Sequence, residues 1–576
     1  MRDRVIIYFL TIFFLLLVAV LFKKQVIQGQ RFRQLSQKNS VRVISQKGAR
    51  GRFLDRKGRV IVDNALFYDV LVTPQILDRG DDGLLRLCRK MEIPFSATKE
   101  KITKSRRFSL LPVTIAVKVT ASKAMALEEM KWDIPEIIIQ PHPLRRYPYG
   151  NLACHILGYL GEIDHWRLSK LADYGYKTKD IVGYTGLEEM YDYYLRQEEG
   201  GTTLEVDHRG RPVRVMGFRP PKNGLDIQLT IDLEVQKVVE ARLSGRVGSV
   251  IIMDAQTGEI IALANSPNFD PSIFLKSSPA PSSYLNSADS PLLNRAIKGV
   301  YPPASVFKAV VAQAGLELSK VKASTTFVCE GGLDIGNRRF GCWQRHGAQN
   351  IFEAIANSCD VFFYHLGLLI GGQELHDYAL KFGLGRPTGV DLPYEASGQV
   401  PNPTWKKIVQ LKRWFDGDTA NFSIGQSEFL VTPLQLTRMM AVFANRGILV
   451  TPYLVKSIGK KDVSSFRQHS RVLPLKREAL EIVRQGLRDA VLFPSGTAHI
   501  LSQLGVSIAG KTGTAQTPRG QSHAWFLGFF PYTQARYVIC VFLEHGGSGQ
   551  AACLLARNIL KDLLDANLFD LKGNDR

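Results

Sequence analysis

The chain has 576 residues, 45% of them hydrophobic, and a formal net charge of +21. That length is too great for one core and predicts two soluble domains with something smaller beside them. No internal repeat or low-complexity tract is present, and no recognised binding motif accompanies the basic charge, so nucleic acid is set aside as a partner.

The smaller element comes first. Val5 to Phe22 is an apolar and aromatic run interrupted only by Thr11, flanked by Arg2, Arg4, Lys23 and Lys24, and just long enough to span a bilayer. No Ala-x-Ala-like site follows it, so an uncleaved anchor is preferred to a signal peptide. The first 60 residues carry +12, from 14 Lys/Arg against Asp3 and Asp55, and most of that charge follows the span. A strict positive-inside count would keep the C-terminal body in the cytoplasm, but long domains translocate largely regardless of charge. The basic stretch from Lys23 to Arg59 suits anionic lipid headgroups.

Residues 23 to 220 read as mixed strands, helices and turns, with an Arg-Gly and a turn-forming Asp-x-x-Gly in Arg50-Gly51-Arg52-Phe53-Leu54-Asp55-Arg56-Lys57-Gly58. Pro220-Pro221-Lys222-Asn223-Gly224 marks a boundary. The expected division is a tail at 1–4, a span at 5–22, one body at 23–220 and a second at 221–576.

In the second body, Leu225 to Ile231 alternates as a half-buried strand, and residues 232 to 243 form an amphipathic helix. A hairpin follows, with Ser249 to Met253 and Glu259 to Ala264 joined by an Asp254 to Gly258 turn. Trp525 to Phe530 and Tyr537 to Glu544 read as buried strands, with a closing helix over 550–565. Strands at both ends and helices between predict an α+β domain with an antiparallel sheet.

Three motifs inside that domain carry chemistry: Ser305-Val306-Phe307-Lys308, Ser358-Cys359-Asp360 and Lys511-Thr512-Gly513, the last followed by Thr514. Tyr301-Pro302-Pro303-Ala304 stops a helix from extending backwards, so Ser305 belongs near a helix N-terminus, where backbone N–H groups favour developing negative charge. Lys308, one turn on, shares its face. Ser305 is a weak nucleophile that needs a base, and Lys308 would serve if burial and a second cation, Lys511, kept part of it neutral. Ser358 would relay a proton to the leaving group. Lys511 and the Thr512 and Thr514 hydroxyls suit a terminal carboxylate, and Gly513 allows close backbone approach on an edge strand. The bland alternative makes Ser305 a helix cap, Ser358 a polar helix residue and Lys511 a solvated turn lysine.

A second constellation lies between the first two motifs. Cys329, Cys342, His346 and Cys359 supply three thiolates and an imidazole, a complete tetrahedral set for a structural zinc with no open catalytic position. A Cys329–Cys342 disulfide or unlinked thiols are the alternatives. Cys88, Cys154, Cys540 and Cys553 sit in apolar stretches and read as core thiols.

The three motifs in this order resemble those of penicillin-binding proteins and serine β-lactamases. The whole chain resembles a class B penicillin-binding protein of the penicillin-binding protein 2 type, which acts in cell elongation. Arg50-Gly51 with Asp55-Arg56-x-Gly58, Arg146-Tyr147-Pro148, His155-Ile156-Leu157-Gly158-Tyr159 and Gly186-Leu187-Glu188 are similar to that family's elongated non-catalytic pedestal, its dimerisation domain. Tyr301 to Ser305, Ser423-Ile424-Gly425-Gln426, Thr432-Pro433-Leu434-Gln435 and His523-Ala524-Trp525-Phe526 are similar to its transpeptidase domain, which is serine β-lactamase-like in fold.

Two residues depart from the wider pattern: Asp360 replaces Asn, a change the elongation subtype tolerates, and Ser427 stands where many members have Gly. Some members of that subtype hold zinc with Asp, His and Cys ligands, and Cys329 and Cys342 would stand where those have Asp.

The resemblance implies a periplasmic catalytic domain on a single-pass inner-membrane anchor. It implies peptidoglycan stem peptides ending in D-Ala-D-Ala as substrates, β-lactams as inhibitors, and an oxyanion hole from the N–H groups of Ser305 and Thr514. With no glycosyltransferase domain apparent before residue 220, it also implies a SEDS-type glycosyltransferase and the elongation machinery as partners. The competing readings are a D,D-carboxypeptidase or β-lactamase, a septal-type transpeptidase, and a β-lactam sensor or scaffold. Only Met1 to Arg4 precedes the span, too little for a sensor's signalling segment.

Overall fold

The computed structural model describes residues 2–108, 112–207, 212–275, 280–467, 469–518 and 520–569. The chain divides into two compact units that interleave in sequence, one of 1–51, 64–146 and 196–224, the other of 52–63, 147–195 and 225–576.

The first unit begins with the helix Arg2–Phe22, which continues through a wider turn at Lys23–Ile27, so that the apolar span covers Arg4–Ile27 with no residue buried. The expected stop at Phe22 is overrun because Lys23 and Lys24 can stay helical while their long stems carry the charge away from the apolar face. Three antiparallel strands, Val41–Gln46, Gly200–Val206 and Pro212–Arg219, form a sheet in this unit. Its separate core gathers Val70, Val72, Leu84, Leu87, Ile102, Leu127 and Ile137.

The second unit is built on five antiparallel strands: β1 (Gly248–Asp254), β2 (Ile260–Ser266), β3 (Ala509–Ala515), β4 (His523–Phe530) and β5 (Tyr537–Leu543). Their order is β2-β1-β5-β4-β3, which leaves the strand carrying Lys511-Thr512-Gly513 at an edge. β4 and β5 are buried on both faces, which explains why they are apolar throughout apart from His523 at the start of β4.

Helices cover both faces of this sheet. Leu233–Leu243 and Gly549–Asp565 share one apolar core with Val250, Ile252, Phe526 and Val541. Lys308–Glu317, Asp360–Ile370 and Pro433–Ala444 pack into a larger core on the other face, with Ile251, Trp525, Leu527 and Phe542. The helices that carry Lys308 and Asp360 therefore lie against the face of the sheet that holds Trp525.

Candidate active site

Ser305 lies in a short 3₁₀ turn, Ala304–Phe307, that leads into the α-helix beginning at Lys308. Residues three apart eclipse in such a turn, so Ser305 and Lys308 share a face more closely than in an α-helix. Ala304, just before Ser305, has φ +53, a left-handed conformation uncommon for a residue with a Cβ. A backbone hydrogen bond to Gly425 holds it there, and only glycine fits at that approach. Ala304 N donates to Gly425 O at 2.8 Å, and a Cβ on Gly425, itself at φ +72, would stand 2.3 Å from Ala304 O.

Ser358 is also left-handed, at φ +56, between the helix Ile351–Ala356 and the helix that starts at Asp360. That reversal turns Ser358 toward Lys308. Lys308 Nζ donates to Ser358 O at 2.9 Å, Ser358 Oγ at 3.3 Å and Asp360 Oδ1 at 2.6 Å. Burial raises the Asp360 carboxyl above its ordinary range, with the Lys308 charge opposing that rise.

Lys511 is the residue on which sequence and structure differ. Its side chain is wholly buried, and Nζ donates to Thr512 O at 3.3 Å. Burial, reinforced by the charge of Lys308, pushes its ammonium well below the usual lysine range. The sequence sets Lys511 against a terminal carboxylate, whereas the structure buries it within electrostatic reach of Lys308, as a second cation beside that lysine. Ser305, Ser358, Asp360, Thr512, Gly513 and Thr514 line one groove of about 710 Å³, and Lys511 lies beneath it.

The edge strand has little slack. A Cβ on Gly513 would meet Trp525 Cβ at 3.3 Å and Ala304 Cβ at 3.4 Å, so glycine lets the strand approach the turn that carries Ser305. Gln426 bridges the outer side: its Nε2 donates to Thr514 O at 3.0 Å, and its Oε1 accepts from Gln516 N at 3.3 Å. N–H and C=O of one strand residue point the same way, so with its carbonyl on the outer side, Thr514 aims its N–H into the groove. Thr514 Oγ1 accepts from Gly549 N at 2.9 Å and keeps its own proton free to donate. Sequence reasoning gave no role to Gly425 or Gln426. The signal available was Ser423-Ile424-Gly425-Gln426 itself, used only as a family marker.

Cys329, Cys342, His346 and Cys359 converge, with all four ligand atoms within 4.8 Å of one another. His346 Nδ1 lies 3.6 Å from Cys329 Sγ and 3.5 Å from Cys342 Sγ. Neighbouring ligands of a tetrahedral zinc stand about 3.5–3.8 Å apart given its usual bond lengths, so the donor set fits that ion. A hydrogen bond from the Cys359 thiol pushes the Cys342 thiol far below its ordinary range, and Asp360 N also donates to Cys342 Sγ at 3.3 Å. No disulfide joins these cysteines.

A family model described as penicillin-binding protein transpeptidase domain matches residues 248–565, and one described as penicillin-binding protein dimerisation domain matches 45–229. The peptidoglycan D,D-transpeptidase MrdA of Escherichia coli strain K12 is 30% identical over 595 residues, covering 97% of this chain and 94% of its own. A complex between penicillin-binding protein PBP2 and MreC from Helicobacter pylori contains a chain that superposes with a TM-score of 0.80 at 27% identity, over 92% of this chain and 99% of that one. A chain from a peptidoglycan synthase complex that coordinates polymerisation and crosslinking superposes with a TM-score of 0.74 at 28% identity, over 100% and 99%. With a relative matched nearly end to end and a transpeptidase model over more than half its length, the chain belongs to the penicillin-binding protein transpeptidase family, in its PBP2 branch.

Proposed function

We propose that this protein is a membrane-anchored serine D,D-transpeptidase that crosslinks peptidoglycan stem peptides during cell elongation and is inhibited by β-lactams. The observation that carries this reading is the single groove that brings Ser305, Ser358 and the edge strand Thr512-Gly513-Thr514 together above the buried Lys308.

Ser305 Oγ attacks the carbonyl between the two terminal D-Ala residues, and its proton passes to Lys308 in the amine form. The oxyanion is met by the N–H groups of Ser305 and Thr514, and losing one such donor typically costs about 100- to 1000-fold. Ser358, within reach of Lys308, hands a proton to the departing D-Ala amine. Thr512 and Thr514 hydroxyls take the terminal carboxylate, with Lys511 contributing from beneath. An amine from a neighbouring stem then attacks the Ser305 ester, releases the serine and leaves a crosslink.

Cys329, Cys342, His346 and Cys359 would hold a structural zinc with four protein ligands. Bound there, the ion would fix the backbone that presents Ser358, since Cys359 follows it directly. The apolar helix at Arg4–Ile27 anchors the chain in the inner membrane with the catalytic unit on the periplasmic side. For the partners, a SEDS-type glycosyltransferase supplies the glycan strands and the elongation machinery positions the pair. The similarity to chains bound to MreC and to a polymerising and crosslinking complex supports that assignment.

The test is covalent labelling with a fluorescent penicillin. The wild type forms a long-lived adduct, and Ser305→Ala forms none while keeping its thermal midpoint. Persistent labelling of the variant would falsify the nucleophile assignment, and rapid turnover of the wild-type adduct would point to a β-lactamase instead.

A further inference from the structure

Between Cys329 and Cys342 the chain makes a short hairpin, Gly332–Ile335 paired with Arg338–Gly341, whose register sets Ile335 opposite Arg338 and Asp334 opposite Arg339. Both ends of this hairpin are tied at one point, because the sulfurs of Cys329 and Cys342 both meet His346 Nδ1. Its second strand lines the catalytic groove.

Alternation along that strand puts Arg338 and Phe340 on one face and Arg339 on the other. Phe340 is buried and packs edge-on against Tyr364 at 5.7 Å, and Tyr364 in turn donates its hydroxyl proton to Gly341 O at 3.0 Å. The Arg338 guanidinium lies over the Phe340 ring, 5.3 Å from its centre, which holds the planar fork over a fixed surface. Arg339 pairs with Asp334 at 3.2 Å and Arg345 with Glu330 at 3.4 Å, whereas no ion pair of Arg338 is found among the described residues. Asp360, the acid on the groove wall, is already taken by Lys308. Arg338 is thus an exposed, oriented cation on the groove wall, supplied by an element separate from the edge strand.

We infer that Arg338 is a specificity-determining contact that reads a free carboxylate on the stem peptide, upstream of its D-Ala-D-Ala end. This rests on the transpeptidase reading. A guanidinium suits a carboxylate because its parallel N–H groups meet both oxygens, and a carboxamide offers neither the charge nor the second acceptor.

The experiment uses the full-length protein in detergent and two pentapeptides ending in D-Ala-D-Ala, identical except for a carboxylate or a carboxamide on the residue before that end. Each is titrated for its ability to slow fluorescent-penicillin labelling of Ser305. The wild type is expected to bind the carboxylate form about 10- to 100-fold more tightly, the range of a charge-assisted hydrogen bond. Arg338→Gln is expected to lose that ratio and Arg338→Lys to recover part of it. Penicillin labelling itself shows that each variant is folded. A wild type that does not discriminate, or an Arg338→Gln variant that still does, overturns the proposal. Protection by neither peptide, with labelling intact, overturns the transpeptidase reading and the Arg338 assignment together.

Discussion

Lys308 Nζ lies 2.6 Å from Asp360 Oδ1, with the lysine side chain wholly buried and the carboxylate 17% exposed. Removing one partner of a buried pair leaves the other uncompensated, at a cost of about 3–5 kcal/mol. Asp360→Ala should therefore lower the thermal midpoint and reduce the rate of penicillin acylation by about 100-fold or more, as the base loses its fixed position. Asp360→Asn keeps an oxygen acceptor in place and should stay within about tenfold of the wild type. Equal losses in the two variants would show that the charge, and not the hydrogen bond, positions Lys308.

Gly425 should tolerate no side chain. Its φ of +72 and the 2.3 Å approach of its would-be Cβ to Ala304 O are both backbone constraints, which no rotamer change relieves. Gly425→Ala is expected to shift Ala304 and with it Ser305, and a displacement of about 1 Å at a reacting atom can cost 100-fold. Stopped-flow acylation by a chromogenic cephalosporin, read beside the thermal midpoint, separates this local effect from global unfolding.

The Cys/His cluster makes a prediction in mass. Full-length protein purified without chelator or added metal should carry a zinc adduct that is lost on denaturation, with all seven thiols then reduced. A metal-free mass two hydrogens light would mean a disulfide and withdraw the zinc. Chelation should also lower the thermal midpoint and slow penicillin acylation, because Ser358 hangs on Cys359.

Glu240 gives the second unit a pH dependence. It accepts hydrogen bonds from Gln236 Nε2 at 2.8 Å and Ala153 N at 2.7 Å, but burial dominates and lifts its carboxyl to about 7. The folded state therefore holds a proton that the unfolded chain releases near its ordinary carboxyl pKa, so stability from this group is full below that value and declines as pH rises toward 7. A shift of this size corresponds to a few kcal/mol. Glu240→Gln should raise the thermal midpoint relative to the wild type at pH 8 and leave it nearly unchanged at pH 4. An equal difference at both values would remove Glu240 as the cause.

Much of this was legible in the chain because it is local. Ser305 with Lys308, and Lys511 through Thr514, are short motifs whose residue types carry their chemistry. The strands at 248–266 and 523–543 and the helix at 549–565 follow from hydrophobic period and turn residues alone. The contacts that were not legible join distant segments. Nothing near Ala304 announces Gly425, and nothing near Thr514 announces Gln426, since each pair meets only when the helices settle on the sheet. Burial of Lys511 escaped for a related reason. Alternation places its side chain on one face of a strand, but only tertiary packing decides that this face excludes water. The interleaving of 52–63 and 147–195 with the C-terminal unit is likewise a tertiary choice that a Pro/Gly cluster at 220–224 cannot report.

The open edge of β3 has one more consequence. Gln426 closes it at Thr514 O and Gln516 N, while Thr512 O accepts from Lys511 Nζ and keeps a second lone pair, so the Thr512 main chain and the Thr514 N–H are the rungs a guest can still meet. A guest lying along those rungs is measured by the pitch and handedness of its own backbone before any side chain is consulted. Two stems of different composition would then pass the same gauge, while a stem methylated on the amide nitrogen that meets Thr512 would be turned away though nothing else about it had changed.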